Sequence, residues 1–152
     1  MKIREALVGD APTLAALEAA CFSDAWGEGA ILSHLASETT KTLIAEKDGA
    51  PVGALFLSCL PPEGEVYRLC VLPAHRRGGI GRALMAAGLA AEREAGVAKM
   101  FLDVRAGNTA AQLLYREMGF SVSGERKNYY RAPREDAVLM ERELFEDEVF
   151  GH

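Results

Sequence analysis

Hydrophobic and polar residues alternate along the chain with helical and strand periods, and the pattern predicts seven strands and four helices. The predicted strands are Lys2–Leu7, Thr42–Glu46, Val52–Leu60, Glu65–Leu72, Lys99–Arg105, Phe120–Glu125 and Ala137–Glu141. The predicted helices are Pro12–Cys21, Gly29–Ser37, Gly79–Ala95 and Asn108–Met118. A hairpin section that precedes a βαβ section indicates an α/β sandwich with a mixed sheet.

Turn and capping residues indicate where several of these elements begin and end. Asp48-Gly49 between two apolar runs predicts a β-hairpin. Asp10 is predicted to cap the first helix. Asn108 and Gly119 are expected at the two ends of the fourth helix. A polar loop is expected between the last two strands.

Composition and charge indicate one globular domain. The chain has 152 residues, 49% hydrophobic and 26% charged, and it contains no repeat or linker. We expect the domain over residues 1–145 and an acidic tail over 146–152, since the last twelve residues carry −4 of the net charge of −5. Three cysteines without metal or disulfide spacing, together with no membrane span or signal peptide, predict a soluble cytoplasmic protein without a metal site.

An Arg- and Gly-rich turn is the strongest candidate for a binding site. The segment Val71–Leu84, VLPAHRRGGIGRAL, joins a predicted strand to a predicted helix. Gly78, Gly79 and Gly81 are expected to permit close approach of a ligand and positive φ, and the helix N-terminus presents free N–H groups. The stretch Val66–Ala91 contains four arginines and no acid. An anionic ligand is therefore predicted, although a plain strand–turn–helix connection stays open.

The spacing V-x-P-x-x-R-x-x-G-x-G in this turn resembles the coenzyme A pyrophosphate loop of the GNAT family of N-acetyltransferases. The strand FLDVRAGN and the helix TAAQLLYREMGF resemble the family's second cofactor segment. The resemblance implies acetyl-CoA as cosubstrate and a single-domain fold, with a mixed, mostly antiparallel sheet of about seven strands and about four helices. The cofactor-binding residues it implies are Leu69, Cys70 and Val71 for the pantetheine arm, Arg76, Arg77, Gly78, Gly79, Ile80, Gly81 and Arg82 for the pyrophosphate, and Asn108.

Two further segments resemble one subgroup of this family. GERKNYYRAPREDAVLM resembles the ending of bacterial acetyltransferases of the RimI type, which modify the N-terminal alanine of a small-subunit ribosomal protein, and CFSDAW resembles their early C/A-F-x-x-P-W element. By this resemblance Phe22, Trp26, Tyr129 and Tyr130 flank the acceptor groove. Ala25 departs from the usual proline. The implied partner is a protein N-terminus; no nucleic acid, no membrane and a monomer or weak homodimer are expected.

Tyr115 and Asp103 are the candidate catalytic residues. A tyrosine is protonated at pH 7 and can supply a proton to the departing thiolate. Tyr115 is expected to face the cofactor together with Asn108 and Gln112. The opposite helix face, formed by Ala110, Leu114 and Met118, is expected to pack on the sheet.

Asp103 is the candidate base for the amine, and it stands where the family typically has Glu. It alternates with Phe101 and Arg105 on one strand face, and a structural ion pair with Arg105 or with a neighbouring residue is the alternative interpretation. Asp is one methylene shorter than Glu, which favours a water relay.

Two other functions are compatible with this sequence. One is the same fold acting on a small-molecule amine such as an aminoglycoside or polyamine. The other is a non-catalytic acyl-CoA sensor, for which the Asp103 departure is the only indication. Glu28, Glu63 and Glu65 are conceivable anchors for a basic peptide, and the sequence does not rank them.

Overall fold

A computed structural model describes residues 1–144, and the acidic tail expected over 146–152 lies outside the described residues. The strands are β1 (Lys2–Glu5), β2 (Thr40–Lys47), β3 (Ala50–Leu60), β4 (Glu63–Val71), β5 (Lys99–Arg105), β6 (Ser121–Arg131) and β7 (Arg134–Glu143). The helices are α1 (Ala11–Cys21), α2 (Glu28–Ala36), α3 (Ile80–Glu94) and α4 (Thr109–Glu117). The predicted element order and the α/β class are confirmed.

The seven strands form one mixed sheet in the order β1-β2-β3-β4-β5-β7-β6. Only β4 and β5 run parallel to each other. None of the helices within residues 1–144 is long and apolar enough to span a bilayer.

Each face of the sheet carries its own hydrophobic cluster. Helices α3 and α4 cover one face, where residues such as Val66, Met100 and Leu102 are buried. Helices α1 and α2 cover the other face over β2–β4, where Ile44 and Phe56 are fully buried. Because neighbouring strand residues point to opposite faces, Asp103 and Arg105 project to the α1–α2 side, beside the area that these helices cover.

Two local predictions are wrong. Asp10 does not cap α1 through its side chain; its carboxylate instead accepts the Leu7 N–H at 2.8 Å and forms an ion pair with Arg4 at 2.8 Å. The polar loop expected between the last strands is mostly strand, since Tyr130 pairs with Glu135 and the hairpin turns just beyond. Strand β6 lies at the sheet edge and is exposed along most of its length, so no apolar alternation marks it in the sequence.

Glu92 is a buried carboxylate on the inner side of α3. The residue is 2% exposed, and neither carboxylate oxygen has a hydrogen-bond partner within residues 1–144. It lies beneath β4 at Gly64, where an added Cβ would be 2.5 Å from Glu92 Oε1. Burial raises the pKa of Glu92 to about 7, and the nearby Cys59 and Lys41 oppose this shift only in part.

We expect Glu92 to make the stability of the fold depend on pH. Its folded pKa lies above its unfolded value, so the folded state binds more protons between about pH 4.5 and 7. The free energy of unfolding should fall as pH rises through this window, by about 1–3 kcal/mol from this group. Glu92→Gln should remove that component and be more stable than the wild type at pH 8, as measured by urea unfolding.

Glu94→Gln is the matched control, because Glu94 is on the same helix and exposed to solvent. It should keep the wild-type pH dependence. Equal pH profiles for the wild type and Glu92→Gln would show that Glu92 does not titrate in this range.

Candidate active site

Strands β4 and β5 part from each other midway along their length. Their last paired residues are Val66 and Leu102, whereas β4 continues to Val71 and β5 to Arg105. We call the resulting gap the wedge: the space between Leu69–Val71 of β4 and Asp103–Arg105 of β5. On its other side β4 stays paired with β3 as far as Val71, so β4 has an open edge facing the wedge.

A β-bulge lies at the point where β4 leaves β5. Phe56 is opposite Arg68 and Leu57 is opposite Val66, which leaves Tyr67 as the extra residue of β4. A bulge bends its strand and increases the local twist. The bulge therefore turns β4 away from β5 and keeps the wedge open.

The Arg- and Gly-rich turn joins β4 to α3 at the end of the wedge. Gly79 precedes the helix with φ of +82° and has open space where a Cβ would lie. The expectation of positive φ is wrong for Gly78 and Gly81; Arg77 instead has a φ of +69°. Gly81 lies close to Leu114, whose Cδ2 would be 3.3 Å from an added Cβ, so its small size serves packing.

Backbone N–H groups are available at this turn. The first hydrogen bond that closes α3 runs from the Ala83 N–H to the Gly79 oxygen at 3.0 Å, so Ile80, Gly81 and Arg82 carry the N–H groups that a helix leaves without internal partners. Such groups and the helix dipole favour an anion.

Two of the three arginine side chains of the turn, those of Arg76 and Arg82, have structural partners. Arg76 folds back and donates to the Val71 carbonyl at 3.0 Å, and Arg82 forms an ion pair with Glu117 at 2.7 Å. Arg77 is exposed. The backbone, rather than Arg76 or Arg82, is therefore the part of the turn most open to a phosphate.

The start of α4 lies at the β5 side of the wedge. Asn108 caps the helix by accepting the Ala111 N–H at 3.1 Å, as predicted. The Gln112 amide donates to the carbonyls of Arg105 and Ala106 at 3.1 and 2.9 Å. Gln112 thus caps carbonyls at the end of β5, which on its other side stays paired with β7 as far as Arg105.

The predicted orientation of α4 is confirmed for Met118 and wrong for Tyr115 and Ala110. Tyr115 is 7% exposed and belongs to the hydrophobic core, with its ring centroid 6.1 Å from that of Phe120. Ala111 and Met118 pack beside it, whereas Ala110 is exposed. Burial raises the pKa of Tyr115 above its ordinary value, and the charge of Asp103 adds to the shift. The tyrosine is therefore neutral and close enough to Asp103 to be affected by its charge.

Asp103 is held by a tyrosine and not by Arg105. The Tyr130 hydroxyl donates to Asp103 Oδ1 at 2.7 Å. Burial and this hydrogen bond raise the pKa of Tyr130, and the charge of Asp103 together with burial raises that of Tyr129. The structure therefore brings together four predicted residues, Asp103, Tyr115, Tyr129 and Tyr130.

Sequence reasoning missed a bridge of ion pairs across this site. Asp24, in the loop between α1 and α2, contacts Arg68 of β4 at 3.3 Å and Arg105 of β5 at 3.0 Å. Arg105 also pairs with Glu135 of β7 at 3.2 Å, and Arg68 Nε lies 2.8 Å from the fully buried Glu18. Burial opposes ionisation of Asp24, but the two arginines outweigh it and lower its pKa.

The aromatic residues predicted beside the groove lie on two sides of this bridge. Phe22 has the Arg68 guanidinium 4.2 Å above its ring. Trp26 packs on the fully buried Phe56 with ring centroids 5.2 Å apart, and Phe22 and Trp26 are themselves partly buried. Tyr129 is 47% exposed and contacts Tyr130, whose ring centroid lies 4.4 Å from the Arg105 guanidinium at the other end of the bridge. The charged strand positions Arg68 and Arg105 and the Asp in CFSDAW were the sequence signals of the bridge.

Comparison with known proteins defines the class of this chain. Residues 11–120 match the model of the acetyltransferase (GNAT) family. The chain therefore belongs to the GNAT family and is an N-acetyltransferase, a class of enzyme that uses acetyl-CoA as cosubstrate. No group of three potential metal-ligating His, Cys, Asp or Glu residues occurs in the described part of the chain.

Two relatives and one solved structure show which members of the family this chain is similar to. The chain is 40% identical over 140 residues to the N-alpha-acetyltransferase RimI of Mycobacterium tuberculosis, covering 88% of this chain and 87% of the relative. It is 32% identical to the ribosomal protein bS18-alanine N-acetyltransferase of Haemophilus ducreyi, with 76% and 81% covered. The crystal structure of the Escherichia coli ribosomal-protein-S18-alanine N-acetyltransferase superposes with a TM-score of 0.88 at 28% identity, covering 94% and 93%. The predicted resemblance is confirmed.

We expect Asp24→Asn to weaken the link between the two halves of the sheet. The change keeps the side-chain shape but removes the charge that both arginines share, so the free energy of unfolding should fall by about 1–2 kcal/mol. Urea unfolding measures this difference. Asp48→Asn is the matched control, since it removes one charge from an exposed hairpin turn whose positive φ suits Asn. Equal stability of the two variants would contradict a stabilising role of the bridge.

Proposed function

We propose that this enzyme transfers the acetyl group of acetyl-CoA to the N-terminal α-amine of a protein. The observation that carries the proposal is the wedge, which has N–H donors at one end and the Asp103–Tyr130 pair together with Tyr115 along it. The names of the M. tuberculosis and H. ducreyi relatives support the same reaction.

The chain offers acetyl-CoA two kinds of contact. The open edge of β4 over Leu69–Val71 can add the pantetheine arm as an extra strand, because its backbone groups face the wedge where β5 has turned away. The N–H groups of Arg77–Arg82 can hold the pyrophosphate. We extend the pantetheine contacts to Asn108, whose helix end lies beside the wedge.

Asp103 and Tyr115 have opposite tasks in the transfer. Asp103 takes a proton from the α-ammonium group, directly or through water, which frees the nitrogen lone pair to attack the thioester carbonyl. The C–N bond forms and the C–S bond breaks, and Tyr115 donates its hydroxyl proton to the departing sulfur. The nitrogen loses two protons in all, the sulfur gains one, and one is released to solvent.

The modest strength of an aspartate base suits an α-amine. An α-amine with pKa about 8 is neutral in roughly one molecule in ten at pH 7, whereas a lysine with pKa about 10.4 is neutral in about one in 2,500. Because a lysine acceptor would need a stronger base, the chemistry of the site favours a chain terminus.

We take the acceptor to be the alanine terminus of a small-subunit ribosomal protein, because the H. ducreyi and E. coli proteins are named for that substrate. Phe22 and Trp26 on one side and Tyr129 and Tyr130 on the other would flank the acceptor chain. A ribosomal acceptor implies a cytoplasmic enzyme that contacts protein rather than nucleic acid or membrane. A monomer or weak homodimer stays our prediction.

The test is a thiol-release assay with acetyl-CoA and four acceptors. These are a basic hexapeptide that starts with Ala, the same peptide with a blocked N-terminus and an internal Lys, an aminoglycoside and spermidine. We expect turnover on the free Ala terminus alone. Turnover only on a small amine would overturn the proposed substrate class, and acetyl-CoA binding without any turnover would identify a sensor.

We expect Tyr115→Phe to lower kcat by roughly 10²–10⁴ while the Kd for acetyl-CoA stays close to the wild-type value, because the change removes only the proton donor. Steady-state kinetics and calorimetric binding measure the two quantities. Phe is apolar and fits the same buried position, so the melting temperature should not fall. An unchanged kcat would exclude Tyr115 as the acid.

A further inference from the structure

Two of the three cysteines lie next to each other beside the wedge. Cys21 is the last residue of α1, and Cys70 is the last residue but one of β4. Cys70 is 2% exposed within the cluster that α1 and α2 cover, and the partly exposed Cys21 packs against that cluster. The Cys21 thiol donates to the carbonyl of Val71, the neighbour of Cys70, at 3.4 Å. The fold therefore brings together two thiols that are far apart in the chain.

Arg76 approaches Cys21 from the Arg- and Gly-rich turn. Its guanidinium donates to the same Val71 carbonyl at 3.0 Å, so a thiolate at Cys21 would lie beside a positive charge. The Cys70 thiol and Arg76 lower the pKa of Cys21 to about 7, although burial and the charge of Glu18 oppose them. Partly exposed thiols beside a cation are the ones that react readily with oxidants. Cys21 therefore has the surroundings of a reactive thiol.

The third cysteine, Cys59, is also partly exposed but has the opposite electrostatic surroundings. Burial and the carboxylate of Glu92 raise its pKa. It lies opposite Gly64 of β4, six residues along that strand from Cys70 and thus roughly 20 Å away. It packs on the face of the sheet that α3 covers, whereas Cys70 is on the α1 face. Cys59 is therefore too far from Cys70 to form a disulfide with it.

Cys70 is suited to react second rather than first. It is shielded from solvent, and its pKa is raised by the neighbouring Cys21 thiol and by burial. Oxidation of Cys21 to a sulfenic acid removes the negative charge that opposes ionisation of Cys70. A sulfenic acid that has a second thiol beside it condenses with that thiol to a disulfide.

We propose that Cys21 and Cys70 form a peroxide-sensitive dithiol site that closes to a disulfide between α1 and β4. The Cys21 sulfur attacks hydrogen peroxide, so that an S–O bond forms, the O–O bond breaks and the released hydroxide takes up a proton. The Cys70 sulfur then attacks the Cys21 sulfur: the S–S bond forms, the S–O bond breaks, and water leaves with the Cys70 proton. In all, two thiols lose two electrons and the peroxide is reduced to two waters.

The disulfide also acts on the acceptor side of the active site. Phe22 follows Cys21 directly, and Asp24 of the ion-pair bridge lies two residues further along the same loop. Closing the bond draws the Cys21 sulfur from the Val71 carbonyl towards Cys70, which displaces the start of this loop. We expect weaker acceptor binding by the oxidised enzyme. This consequence rests on the proposed function, whereas formation of the disulfide does not.

The experiment treats the fully reduced protein with hydrogen peroxide at pH 7.5 and then blocks the remaining thiols with iodoacetamide in denaturant. Trypsin places the three cysteines in three separate peptides, so mass spectrometry identifies the partners. The intact chain should lose two hydrogen atoms, and the peptides of Cys21 and Cys70 should be linked until dithiothreitol is added. Cys21 should be oxidised about three- to tenfold faster than Cys59.

Three variants serve as controls for the peptide map. Cys59→Ser is the matched control and should form the disulfide at the wild-type rate. Cys21→Ser should lose the fast reaction and leave Cys70 open to alkylation. Cys70→Ala should stop at the sulfenic acid of Cys21, which dimedone labels. The wild-type map needs no variant, so the result does not depend on how Cys70→Ala folds.

The possible outcomes separate the dithiol site from its consequence. A wild-type map with Cys21 oxidised but unlinked, or with Cys59 reacting first, would overturn the site. Peroxide should lower kcat/KM for the Ala-starting hexapeptide by roughly tenfold, reversibly, and should leave Cys21→Ser at its own untreated value. A disulfide without this loss would contradict only the effect on the loop. If the reduced enzyme does not acetylate the hexapeptide, the proposed function is wrong and the peptide map still decides the site.

Discussion

The parting of β4 and β5 beyond Val66 and Leu102 is the constraint on which the rest of the structure depends. Backbone N–H and C=O groups need hydrogen-bond partners. Where two strands of a sheet part, side chains, water or a ligand have to supply those partners. On the β5 side Gln112 bonds the last carbonyls. On the β4 side Arg76 reaches the Val71 carbonyl, and the edge before it stays open for a ligand.

The ion pairs around Asp24 connect the two strands where they part. Asp24 joins Arg68 of β4 to Arg105 of β5, and buried Glu18 anchors Arg68 from α1. Removing Asp24 from this partly buried network leaves two arginines without their shared partner, which is more costly than the net gain from forming the pairs. The network therefore links the ends of β4 and β5 across the wedge as well as contributing to stability.

Two glutamates with raised pKa values, Glu92 and Glu65, lie on opposite faces of β4. Glu92 lies in the core beneath β4, where it is unpaired and closed off from any ligand. Glu65 lies on the other face of the same strand, on the side to which Asp103 projects. Burial raises both pKa values, but only the pKa of Glu65 is also raised by the charge of Asp103.

The sequence by itself determined the element order, the α/β class, the family and the position of the Arg- and Gly-rich turn, because these depend on local periodicity and on spacing within one segment. It did not determine the length of β6 and β7, since an exposed edge strand carries no apolar alternation. The burial of Tyr115, the Tyr130–Asp103 bond and the Asp24 bridge were decided only by the tertiary structure. Each of these joins residues far apart in the chain, and such contacts follow from how the sheet opens rather than from neighbouring residues.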